Sequence, residues 1–195
     1  MKYLQLTFSL LAALSFTLLS TTVTAQDNQP RASLHAQVTQ RIGVDTDITI
    51  DYSRPAVKGR KVWGELVPYG MEEGNKYSNN KPFPWRAGAN ENTTIEFNND
   101  LMIGGKEIPA GKYSIHMIPA KKEAWTLIFN KVNDAWGSYT YDESQDALRI
   151  MVEPVKADHA EYLTYGFEDL SGNSATAYLH WAKLKVPFEV KVASN

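Results

Sequence analysis

The chain has 195 residues and sets 20 Lys and Arg against 22 Asp and Glu, a formal net charge of −2, which excludes the strongly basic surface that general nucleic-acid binding requires. It has no cysteine, so disulfide staples, thiol catalysis and a lipid-modified N-terminal cysteine are excluded as well. Stability must come from a core, and 43% hydrophobic residues supply the material for one.

Residues 1–25 have the layout of an export signal: Lys2, an apolar run from Leu10 to Leu19, and Val23-Thr24-Ala25 as a small-residue cleavage pattern, which places the cut after Ala25. The run is too short for the roughly 18 apolar residues of a membrane span, so none is expected after cleavage. The remaining 195 − 25 = 170 residues carry a net charge of 19 − 22 = −3, because Lys2 is the only charged residue removed. That length is one ordinary domain. The expected layout is a polar lead-in over 26–34 and a single β domain over 35–195, in a periplasmic or secreted location.

From there the recurrent signal is alternation with period two. Ile48, Ile50 and Tyr52 form the first run, and Ile95 and Phe97 the next. Gly104-Gly105 between Ile103 and Ile108 marks a tight hairpin. Tyr113, Ile115 and Met117 follow, then a charged loop from Pro119 to Glu123, then Trp125, Leu127 and Phe129. Leu148, Ile150 and Val152 make another run, and so do Leu163, Tyr165 and Phe167. After a turn at Ser171 to Ser174 come Ala177, Leu179 and Trp181, and finally Val186, Phe188, Val190 and Val192. These short runs, rich in β-branched and aromatic residues, predict an all-β antiparallel sandwich, with a closed barrel as the alternative.

One long connection, residues 54–84, breaks the rhythm. Long irregular connections in compact domains are often functional. Its first part, RPAVKGRKVWGELVPYG, gathers Arg54, Lys58, Arg60 and Lys61 with no acid among them. A guanidinium fork suits the oxygens of a carboxylate or phosphate. Just past the connection, Trp85 stands beside Arg86, an indole and a cation that together can grip a sugar or a planar anion. Asn90 is a turn former able to orient a ligand by hydrogen bonds.

His116 and His180 occupy polar-facing positions of their runs and are expected to be able to meet across strands. No spacing of metal donors matches a known centre, so neither a metal nor another cofactor is expected. No serine lies in a nucleophile-elbow motif, and no catalytic residue is assigned.

Five stretches, ITIDYSRPAVKGRKVWG (48–64), LVPYG (66–70), WRAGANENTTIEF (85–97), IPAGKYSIHMIP (108–119) and WTLIFNK (125–131), resemble a family of exported bacterial proteins known as domain of unknown function 2911. The resemblance implies a bacterial, exported, β-rich domain and brings no activity, substrate or cofactor. The residues themselves point to a binding module for a small polar or anionic ligand such as a glycan, rather than to an enzyme. Its candidate ligand residues are Arg54, Lys58, Arg60, Trp85, Arg86, Asn90 and His116. The alternatives are a periplasmic hydrolase using His116 or His180, and an envelope protein that is structural or binds partners along a sheet edge.

Overall fold

The structure, a computed structural model, describes residues 30–193. The export signal expected over 1–25 lies outside the described residues. Ten strands follow in chain order: β1 Leu34–Ile42, β2 Thr46–Arg54, β3 Thr93–Phe97, β4 Leu101–Ile103, β5 Lys106–Ile108, β6 Gly111–Ile118, β7 Trp125–Asn130, β8 Asp146–Val152, β9 Val155–Glu168 and β10 Ser174–Val192. The described residues contain two short 3-10 turns and no α-helix.

All pairings between strands are antiparallel. They build a six-stranded sheet, β1-β2-β3-β6-β7-β8, and a four-stranded sheet, β5-β4-β10-β9. Each sheet keeps two edge strands, so the barrel alternative does not hold and the architecture is that of a sandwich. The period-two runs supply the inner faces: Ile48, Ile50 and Tyr52 on β2 are buried, as are Ala177, Leu179, Trp181, Val186, Phe188 and Val190 on β10. Full burial of one such large side chain stabilises by about 1.5–3 kcal/mol. Aromatic contacts join the layers, with Phe129 of β7 edge-on to Phe188 of β10 at 6.1 Å and Tyr52 of β2 edge-on to Tyr165 of β9 at 4.9 Å.

Two elements differ from the sequence expectation. β1 was not anticipated, because this edge strand leaves most of its residues exposed or half-buried and so carries no apolar period. The two last runs are one 19-residue strand, β10. Its register against β9 shifts on either side of Ala182, which takes φ 52. Beyond the shifts the strand leaves β9 and pairs with β4 over Val190–Val192.

The long connection is ordered and tied down. Antiparallel pairing of Ile48 with Phe97 and Asp51 with Thr94 puts the end of β2 and the start of β3 at the same end of the sheet. Just past β2, the Val57 amide donates to the Glu161 carbonyl at 2.8 Å. Just before β3, Trp85 and Met117 exchange two backbone hydrogen bonds of 2.9 Å. Between them, Glu72 bridges Phe83, and an Asn75–Ser78 capping box closes the tip of residues 71–84.

Candidate functional site

The shared end of β2 and β3 opens into a cavity of about 470 Å³. Lys58, Arg60, Glu72, Trp85, Arg86 and Trp181 are among its lining residues. The basic segment and the Trp85–Arg86 segment therefore meet around one space, as their flanking strands require.

Backbone carbonyls, rather than carboxylates, hold the two guanidinium groups. Arg60 donates from Nε to the Val57 carbonyl at 3.1 Å and from an Nη to the Ala56 carbonyl at 2.6 Å. Arg86 donates to the Asn90 carbonyl at 2.5 Å, and its guanidinium carbon lies 5.0 Å from the centre of the Tyr139 ring. Gly137, at φ 69, presses against the same guanidinium, which a Cβ there would strike. None of the ion pairs among the described residues involves Lys58, Arg60 or Arg86. The acid on the cavity wall is Glu72. Burial pushes its carboxyl up, an effect that the Arg86 charge partly offsets.

Behind the cations stands a tryptophan cluster. Trp63 lies edge-on to Trp85 at 5.7 Å, to Trp125 at 4.9 Å and to Trp181 at 5.8 Å. Trp85 and Trp181 are stacked, with centroids 6.2 Å apart and planes at 18°. Trp85 is only 4% exposed, so it forms a wall of the cavity and not the open stacking platform expected from its place beside Arg86. The Trp125 indole donates to the Ala120 carbonyl at 2.9 Å. The indole N–H groups of Trp63 and Trp181 are buried without any hydrogen-bond partner among the described residues. Such an unpaired buried donor costs about 1–3 kcal/mol.

The other three candidate residues do not line this cavity. Arg54 ties β2 to β9, donating to the Leu163 carbonyl at 2.9 Å and to Thr164 Oγ1 at 2.6 Å. Asn90, in the left-handed region at φ 60, donates from Nδ2 to the Ser33 carbonyl at 3.1 Å and so pins the approach to β1. His116 is 3% exposed, against the expectation of a polar-facing position. The segment between β7 and β8 covers its face. There Ser138 Oγ lies 2.7 Å from His116 Nδ1, and the Tyr141 ring meets the imidazole at 5.3 Å. Burial, helped by the Arg86 charge and opposed by Asp146, lowers the His116 pKa to about 4. His180 is in the other sheet, with Nε2 2.9 Å from the Asp158 carbonyl, so the two histidines do not meet as neighbours across strands.

Trp181 and Glu72 went unrecognised in the sequence. Trp181 has the pattern of an ordinary inward-facing strand residue, and Glu72 lies in a polar loop. Only the tertiary fold brings them to the cavity.

The family described as "Protein of unknown function (DUF2911)" matches residues 33–190. No curated protein and no solved structure matches the chain.

Proposed function

The chain belongs to the DUF2911 family, whose description names no activity, and we propose that it is a binding module that takes a small anionic ligand into the cavity between the β2 and β3 ends. One observation carries the reading: Lys58, Arg60 and Arg86 line a single cavity, and none of them is ion-paired to a carboxylate among the described residues. A guanidinium has five N–H donors. Arg60 uses two in the bonds described above and Arg86 one, which leaves donors for a bidentate grip on carboxylate or phosphate oxygens. The carbonyls and the Tyr139 face hold the cations in place beforehand, which lowers the ordering cost of binding.

Calorimetric titration of the protein with heptanoate, glucuronate and inorganic phosphate tests the proposal. At least one of these anions is expected to bind. Arg60→Ala and Arg86→Ala are each expected to weaken that binding by about 1.5–3 kcal/mol, the scale of hydrogen bonds to charged groups. Because Arg86 also packs on Gly137 and Tyr139, Lys58→Ala and Arg60→Ala decide the matter if Arg86→Ala fails to fold. Failure of all three anions to bind, or unchanged affinity in the variants, overturns the reading.

A further inference from the structure

The cations account for one part of the cavity only. Pro55, Ala56, Leu66 and Val67 also line it, and their side chains offer no hydrogen bond. Trp181 shares that lining, is 1% exposed, and carries an indole N–H with no acceptor among the described residues. The equally unpartnered Trp63 N–H belongs to a ring centred 5.8 Å from that of Trp181. Folded proteins pair more than nine-tenths of their buried polar groups, so an unsatisfied donor at a cavity calls for an acceptor from outside the chain. A water held there would need two to four polar partners, which the apolar side chains do not provide. A carbonyl on a bound molecule brings the acceptor together with apolar surroundings of its own.

We propose, resting on the anion-binding reading above, that the ligand is an organic anion with an apolar body, and that a carbonyl on that body is received by the indole N–H of Trp181. The anionic group is held by Lys58, Arg60 and Arg86, and the body lies along Pro55, Leu66 and Val67. A sugar acid fits less well, because its hydroxyls would lose water against these apolar walls.

The test compares heptanoate, the methyl-ketone acid of the same chain length, and glucuronate. Two readouts are used: binding affinity, and the indole resonances in a proton–nitrogen correlation spectrum. The keto acid is expected to bind about three- to tenfold more tightly than heptanoate, the net worth of one neutral hydrogen bond. It is expected to shift the Trp181 indole resonance, assigned by its loss in Trp181→Phe, and to leave that of Trp125, already bonded to Ala120, unmoved. In Trp181→Phe the preference for the keto acid should vanish while heptanoate still binds. If both acids bind with equal affinity, depend on Arg60 and leave Trp181 unmoved, the carbonyl inference falls and the anion site stands. If glucuronate binds and neither aliphatic acid does, the apolar body is wrong. If none of the three binds, this inference falls along with the anion-binding reading. Should Trp181→Phe fail to fold, the wild-type affinities and the response of its indole resonances decide.

Discussion

The imidazole of His116 makes acid stability a property of one residue. Its pKa in the folded chain is about 4, against an ordinary 6.5, chiefly because burial penalises the charged ring. Between those values the unfolded chain binds a proton that the folded chain refuses. Stability therefore rises with pH across that window, is fully present above about pH 6.5, and is lost as pH falls toward 4. At about 1.36 kcal/mol per unit, the loss is roughly 3 kcal/mol. Urea unfolding at pH 7 and pH 4.5 measures it, and His116→Gln is expected to remove most of the difference. If the variant keeps the wild-type slope, the sensitivity belongs to the carboxylates instead. Arg60, Trp85 and Arg86 were legible as neighbours because each stands next to a strand whose pairing could be foreseen. The burial of His116 was not legible, because Ser138 and Tyr141, which cover it, come from an irregular segment with no period of its own.

Among the elements, the strands that face the core announced themselves and the edge strand did not. Period two is visible where one face is apolar, as in β2 and β10, and invisible in β1, whose residues are largely left toward solvent. The hairpin between β4 and β5 was legible from Gly104-Gly105, and its two glycines are not equivalent. Both have positive φ, 56 and 76, as the tight turn demands. A Cβ on Gly104 would lie 2.9 Å from Ile150 Cδ1 of β8, in the opposite sheet, whereas one on Gly105 meets nothing within 4 Å. Gly104→Ala should thus add a packing conflict to the roughly 1–2 kcal/mol cost of a left-handed alanine. Gly105→Asn should cost less, since asparagine tolerates that backbone and has free space. Urea unfolding of the two variants ranks them, and equal losses would mean that the contact with Ile150 yields easily.

At the scale of the whole molecule, β10 is the member on which the second sheet depends. It pairs with β9 along one half and with β4 at its far end, while β4 and β5 otherwise form only a three-residue hairpin. Such a hairpin is marginal alone. A chain ending at Asn173 keeps every strand of the six-stranded sheet and loses the apolar face of β10. It is expected to unfold without a cooperative transition in urea, and a sharp transition at the full-length midpoint would contradict this dependence. The same topology sets a timetable. Synthesis runs from β1 to β10, so all six strands of the first sheet leave the ribosome before the strand that covers their inner face. Until β10 follows, that face has no partner, and the newborn chain passes through an interval in which it is prone to aggregate and in need of a chaperone.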